Sequence, residues 1–169
     1  MSNESINFKQ KKIPTWQLAI LGFIFIGGGL VAPLAQMLQG SEHAEKWNAY
    51  VAEVQPLLMQ QDAMLNRMVI ENDRAKLPIF LKEAETLSKQ IKAIDGENEE
   101  LDHIHDTMEK RAELLVQALE QLNNAEDPNA SEVQQKIQPM LIEAKQMIDE
   151  FNSRRNQYAR DHNFQIIDS

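Results

Sequence analysis

Carboxylates and histidines are densest between positions 99 and 106, which read Glu-Glu-Leu-Asp-His-Ile-His-Asp. In a helix Asp102 lies one turn before His105, so the two side chains share a face. A carboxylate three residues before a histidine is half of the ligand set of di-iron helical bundles, which need a second such pair and two further carboxylates. His43 and His162, the two histidines outside this segment, have no Asp or Glu three residues before them, so no such pair lies on another helix. The sequence therefore predicts no metal site.

The apolar residues of the same segment indicate which way its histidines point. Leu101, Ile104 and Met108 recur at spacings of three and four residues, which is typical of the buried face of a helix. This spacing puts His105 at the edge of the buried face and His103 on the outside. We interpret the acidic run as a solvated helix surface without a catalytic role.

Other chemistries are disfavoured by residues and motifs that the sequence lacks. The chain has no Cys, which removes disulfides, thiolate metal sites and a lipid-modified cysteine. It has no G-x-S-x-G, P-loop or H-E-x-x-H motif. Its 17 basic and 26 acidic residues give a net charge of −9, which argues against binding to nucleic-acid phosphates. We therefore expect a protein that is not an enzyme and that binds no cofactor.

The elements that would position these residues begin with an apolar segment. Residues 18–35 carry no charge, and the apolar stretch from Trp16 to Leu38 is longer than the ~20 residues that a helix needs to cross a bilayer. Three lysines between positions 9 and 12 precede it, so the positive-inside rule leaves the N-terminus in the cytoplasm. This topology is typical of a single-pass protein of the bacterial inner membrane. We predict a cytoplasmic stub over 1–12, a transmembrane signal-anchor helix over 13–39 and a periplasmic or extracytoplasmic domain over 40–169.

A cleaved signal peptide is the alternative interpretation of the apolar segment. Signal-peptide cores usually have about 7–15 residues, fewer than this segment, and Pro33 occupies a cleavage-site position that favours a small residue. Within an uncleaved anchor, Trp16 is expected at the membrane interface. Gly28 and Ala32 form a small-xxx-small pattern through which two membrane helices can pack, so a homo-oligomer is one alternative.

Beyond position 40 the hydrophobic periodicity is helical and no strand is indicated. Short connections between amphipathic helices predict an all-α fold, an antiparallel bundle of four helices. Ser41 is the expected N-cap of the first helix, and Ser131 with Gln134 matches a capping box at the start of the fourth. Pro56 predicts a kink in the first helix. The predicted helices cover 41–72, 77–94, 97–123 and 131–161.

An even number of antiparallel helices returns the C-terminus toward the membrane. The densest basic cluster of the domain falls in this returning end: Arg154, Arg155 and Arg160. These arginines are expected to contact anionic lipid headgroups or a partner protein, unless they only complement the helix dipole. An apolar tail follows and either folds back on the bundle or docks onto a partner: Phe164, Ile166 and Ile167.

These features favour a non-catalytic, membrane-anchored interaction protein whose outer bundle binds or scaffolds another envelope protein, as a subunit or regulator of a membrane complex. One alternative is a ligand-sensing bundle, since the outline is similar to the extracytoplasmic half of a bacterial chemoreceptor. No second membrane helix follows to carry a signal inward, which weakens that alternative. Another is a coiled-coil spacer of the phage or division type, which the breaks between the predicted helices disfavour.

Overall fold

The computed structural model describes residues 35–36 and 42–166, and within these ranges the chain is a bundle of four helices. The helices are α1 (Glu42–Glu71), α2 (Leu77–Lys92), α3 (Glu99–Asn124) and α4 (Ser131–Asp161). A short 3-10 turn, Arg74–Lys76, precedes α2. The predicted helical bundle is confirmed for the described residues, and each helix end lies within two residues of its predicted position.

The four helices alternate in direction. Contacts between successive helices fit this order: Arg67–Glu83 between α1 and α2, Ile91–His105 between α2 and α3, and, with α3 positions rising as α4 positions fall, His103–Arg154 and Lys110–Glu143. Each connection is short, so neighbouring helices are antiparallel, as expected for an up-down-up-down bundle.

The core consists of two apolar clusters with a polar layer at their boundary. The first cluster contains the aromatic residues Trp47, Phe151 and Tyr158, and the second contains Met64, Phe80 and Leu115 among others. In α1 the first cluster ends at Leu58 and the second begins at Met64. Gln61 lies between them and is 0% exposed, while Arg111 on α3 is 1% exposed. Two polar side chains thus occupy the middle of an apolar interior.

The residue that caps the start of α4 differs from the sequence prediction. Its N-cap is Ala130, and the Nε2 group of Gln134 donates to the carbonyl oxygen of Pro128 over 2.8 Å. The predicted capping box of Ser131 and Gln134 is therefore wrong, because the N-cap lies one residue before the predicted cap and Ser131 is the first residue of the helix. Ser41, the predicted cap of α1, lies outside the described residues. Helix α1 continues through Pro56 without a break.

A two-residue strand pair closes one end of the bundle. Strand β1 (Ala35–Gln36) runs antiparallel to β2 (Gln165–Ile166), with Ala35 opposite Ile166 and Gln36 opposite Gln165. The helix predicted over 13–39 is therefore wrong at Ala35 and Gln36, where the backbone is extended and bonds to the C-terminal tail.

The other residues of the predicted anchor, including Trp16, Gly28 and Ala32, lie outside the described residues. Among the helices that are described, none combines the length and the apolar character needed to span a bilayer. The transmembrane helix stays a prediction.

Candidate functional site

Three helix ends meet beside the strand pair, at the end of the bundle that we call the base. His43 comes from the first turn of α1, Glu100 from the first turn of α3, and His162 follows the last residue of α4. The Nε2 atom of His162 lies 2.7 Å from Oε2 of Glu100, and Nδ1 of His43 lies 3.2 Å from the hydroxyl oxygen of Tyr158. We call His43, Glu100, Tyr158 and His162 the base cluster.

The rings of the base cluster pack closely against one another. The imidazoles of His43 and His162 are stacked, with centroids 3.6 Å apart and planes 11° from parallel. The Tyr158 ring meets both of them edge-on, at centroid distances of 5.9 Å and 4.6 Å. Burial raises the pKa of the Tyr158 phenol above its ordinary value. The phenol therefore stays protonated, and its oxygen can accept or donate a hydrogen bond beside His43.

The end of α4 explains how His162 reaches this cluster. Asn163 has a φ of 55°, the left-handed conformation that Asn tolerates better than most residues. The Phe164 N–H donates to the Ala159 carbonyl and the Asn163 N–H to the Arg160 carbonyl, which is the Schellman arrangement of a helix C-terminus. Phe164 then packs against Tyr158 with centroids 5.7 Å apart. The tail thus folds back on the bundle, one of the two predicted alternatives.

The base also carries several carboxylates. The first turn of α3 contains Glu99, Glu100 and Asp102, and the first turn of α1 contains Glu42 and Glu45. Acidic side chains at helix N-termini are stabilised by the helix dipole. Among the described residues, His43, Glu100 and His162 are the only group of three His, Asp or Glu side chains whose ligating atoms all lie within 4.8 Å of one another. These three residues could hold a metal ion.

Sequence reasoning did not find the base cluster. Ligand spacing on a single helix predicts pairs such as Asp102 and His105, whereas His43, Glu100 and His162 come from three different helix ends. Only part of the arrangement had a sequence signal: an Asn directly after a periodic helix indicates a left-handed C-terminal turn, which reverses the chain after His162.

His105 lies in the core, one turn of α3 deeper than the base cluster. It is 3% exposed, and its Nε2 atom lies 2.8 Å from the carbonyl oxygen of Ile91 while its Nδ1 atom lies 3.2 Å from the hydroxyl of Tyr50. A carbonyl only accepts, so in the neutral ring Nε2 donates and Nδ1 accepts from Tyr50. The predicted edge position of His105 is wrong, because partners for both ring nitrogens permit full burial. His103 is exposed, as predicted.

The three arginines predicted to form a basic contact surface lie in different environments and have different partners. Arg154 donates to the His103 carbonyl and to the Glu150 carboxylate, whereas Arg155 is buried beside Asn156. Arg160 is exposed and donates to Gln157 over 2.7 Å. Of the apolar tail, Phe164 is buried and Ile166 is half-buried against the first apolar cluster, and Ile167 lies outside the described residues.

A groove of about 380 Å³ lies between α3 and α4 next to the base cluster. Its lining combines charged, polar and apolar side chains, among them Glu100, His103, Arg154, Tyr158 and Asp161. Both signs of charge are present, so the groove has the composition of a site for a small polar molecule.

Large apolar side chains are exposed at the opposite end, which we call the tip, where α1 ends at Glu71 and α2 begins at Leu77. Ile70 is 81% exposed and Ile79 is 62% exposed. The connection between them is fixed to the rest of the tip, since Arg74 donates to the carbonyl oxygen of Ala125 over 2.6 Å. Ile70 and Ile79 are the two most exposed large apolar side chains among the described residues, so this corner is the candidate contact surface.

Comparison of the chain with protein-family models, with curated proteins and with solved structures gave no match.

Proposed function

We propose that the chain is a non-catalytic, membrane-anchored helical bundle that binds another envelope protein through its tip. The observation that carries this proposal is the exposure of Ile70 and Ile79 on either side of the α1–α2 connection. Leaving such side chains in water costs hydrophobic free energy that a bound partner would recover, at ~25 cal/mol for each Å² of apolar surface buried.

The charged residues around these isoleucines support an interface with a polar rim. Arg67 pairs with Glu83 at 2.5 Å, and Lys76 pairs with Glu71 at 2.9 Å. Apolar residues surrounded by charged pairs match the anatomy of non-obligate protein interfaces, in which the rim stays solvated while the centre is desolvated. The expected partner surface is therefore apolar at its centre and carries charges of both signs around it.

The strand pair supports an arrangement in which the base faces the membrane. Strand β1 begins at Ala35, near the end of the apolar stretch from Trp16 to Leu38, and β2 belongs to the C-terminal tail. With the apolar run inserted in a bilayer, the base lies next to the anchor. Helix α1 has 30 residues, which corresponds to a length of about 45 Å. The tip would then meet a partner well above the membrane surface.

Affinity purification of the full chain in mild detergent tests this proposal. We expect the wild-type chain to recover one stoichiometric partner and the Ile70→Ser/Ile79→Ser variant to lose it. Ile142→Ser is the matched control, because Ile142 is 52% exposed on α4 and lies outside the tip corner. Circular dichroism establishes that all variants are folded. Recovery of the chain alone, or equal recovery by the Ser variant, contradicts the proposal.

Ligand sensing is the second candidate function, and the groove beside Arg154 favours it. Its volume of about 380 Å³ lies in the range of small-molecule sites, ~300–1,000 Å³. Sensing predicts that a small anionic or zwitterionic ligand raises the melting temperature of the wild-type chain and not of Arg154→Ala. Screening a set of amino acids and carboxylic acids by thermal shift tests this alternative, and an absence of any shift counts against it.

A further inference from the structure

We propose that His43, Glu100 and His162 bind a divalent transition metal, Zn²⁺ in the first place, and that the ion ties three chain ends together at the base. The site is independent of the tip and of the partner bound there. Its three ligands come from the start of α1, the start of α3 and the residue after α4. The ion would therefore join segments that are more than fifty residues apart in sequence.

The donor set fits zinc chemistry. Zn²⁺ is bound by His nitrogen at ~2.0–2.1 Å and by Glu oxygen at ~2.0–2.2 Å, and sites with three protein ligands complete a tetrahedron with water. Two imidazoles and one carboxylate are one of the ligand combinations found in such sites. Hard cations such as Mg²⁺ prefer oxygen ligands, so this set selects against them.

The distances are close to those that a tetrahedral site needs. Ligand atoms bound tetrahedrally at these bond lengths are about 3.3 Å apart. The Nε2 atom of His162 is 2.7 Å from Oε2 of Glu100, so this pair must separate by about 0.6 Å to admit the ion. The widest separation in the group is 4.8 Å at most, so the remaining closure is about 1.5 Å or less. Glu100 is exposed and both imidazoles are half-buried, so side-chain rotation can supply these shifts.

The stack of the two imidazoles must open when the ion binds. The lone pairs of an imidazole lie in its ring plane, so two parallel rings cannot aim at one point between them. We assign the rotation to His43, because its 3.2 Å contact with the Tyr158 hydroxyl is longer than the 2.7 Å contact of His162. A hydroxyl that hydrogen-bonds to one nitrogen of a histidine ligand orients the ring and leaves the other nitrogen for the metal.

The surrounding charges favour a dication. Carboxylates in the first turns of α1 and α3 surround the base cluster, and the amine of Lys46 is paired with Glu42 at 2.6 Å. The C-terminus of α4 adds partial negative charge next to His162, and the partial positive charge at the N-termini of α1 and α3 is smaller than the charge of the carboxylates in their first turns. A bound Zn²⁺ would offset this concentration of negative charge.

Zinc titration of the full chain tests the proposal. The chain is purified in detergent without a polyhistidine tag, stripped with a chelator, and titrated with ZnCl₂ by calorimetry. We expect one Zn²⁺ per chain, and a loss of affinity of at least about tenfold in each of His43→Ala, Glu100→Gln and His162→Ala. His103→Ala is the matched control, because His103 is also a histidine near a carboxylate, 3.8 Å from Asp106, and it is exposed outside the cluster. This control should bind like wild type.

Two further measurements separate binding from folding. Circular dichroism and metal-free melting temperatures show whether each variant is folded. If an Ala variant is unfolded, Glu100→Gln still tests the site, because Gln keeps the shape of the Glu side chain. Co²⁺ bound in place of zinc should give the intense visible absorption of tetrahedral coordination in wild type and not in Glu100→Gln. Absence of zinc binding, or equal affinity in wild type and the three cluster variants, overturns the proposal. A Mg²⁺ affinity equal to that of Zn²⁺ overturns it as well.

Discussion

The polar layer between the two apolar clusters contains Gln61 and Arg111. The free energy of unfolding should depend on these two side chains as a pair, and not on either alone. Arg111 is 1% exposed, donates to the side-chain oxygen of Gln61, and its Nη2 atom lies 3.2 Å from Oδ1 of Asp62. Burial lowers the pKa of Arg111 and raises the pKa of Asp62, so for both groups the environment disfavours the charged form. Keeping the charged pair of Arg111 and Asp62 in the interior therefore costs desolvation free energy.

Substituting Arg111→Met removes the charge and keeps much of the side-chain volume. The side-chain oxygen of Gln61, which is fully buried, then loses its donor, at a cost of ~1–3 kcal/mol. The Asp62 side chain is 34% exposed, so water can solvate its carboxylate and the full ~3–5 kcal/mol cost of breaking a buried pair does not apply. We expect the free energy of unfolding to fall by about 2–4 kcal/mol.

The double variant Gln61→Leu/Arg111→Met should recover most of this loss. It removes both buried polar groups together, including the Nε2 group of Gln61, which has no hydrogen-bond partner among the described residues. Replacing a buried polar pair by apolar residues is often neutral or stabilising, so we expect a stability within about 1 kcal/mol of wild type or above it. Urea unfolding followed by circular dichroism measures both variants. A double variant as unstable as Arg111→Met, or an Arg111→Met variant as stable as wild type, would show that the unpaired oxygen of Gln61 is not the source of the loss.

Three further predictions concern single positions. A Cβ atom at Gly96 would lie 2.5 Å from the backbone nitrogen of Asp102, so Gly96→Ala should lower the free energy of unfolding by about 1–3 kcal/mol, and an unchanged urea midpoint contradicts this clash. Asn98 accepts from two backbone N–H groups at the start of α3; Asn98→Ala should cost ~1 kcal/mol while Asn98→Asp retains the cap, and equal stability of both variants would be inconsistent with capping. Burial raises the pKa of Tyr50 and Tyr158 above their ordinary value of 10.0, so the folded state keeps protons that the unfolded state loses, and stability should fall as the pH rises above 10.0 through the folded values. Tyr50→Phe should reduce this fall in stability. The chain has 2 Tyr, so tyrosinate absorbance follows the titration of both. Titration of both phenols at their ordinary pKa in the folded protein would contradict the prediction.

The helices were predictable because their signal is local. Leu101, Ile104 and Met108 lie on one face at helical spacing, and all three are buried in the structure. The turns were also marked, since Gly96 is the only glycine after position 40 and it lies two residues before the Asn98 cap of α3. Helical periodicity and turn residues together were enough to predict the ends of the four helices to within two residues.

The base cluster depends on information that no local pattern contains. Whether His43 meets His162 is decided by how α1 and α4 pack, and that packing involves contacts such as Trp47 with Phe151. Burial of His105 likewise required a carbonyl from α2 and the hydroxyl of Tyr50, both supplied by other helices. The pairing of β1 with the tail was missed for the same reason, since a two-residue strand has no periodicity to detect.

Site-specific photo-crosslinking in intact membranes tests whether the tip binds another protein. A photoreactive phenylalanine is placed at position 70, at position 79 and, as a control, at the exposed position 53, about 25 Å from position 70 along α1. The proposal predicts that positions 70 and 79 crosslink the same second protein and that position 53 does not. Crosslinks of equal strength from all three positions, or crosslinks only between copies of this chain, would contradict it.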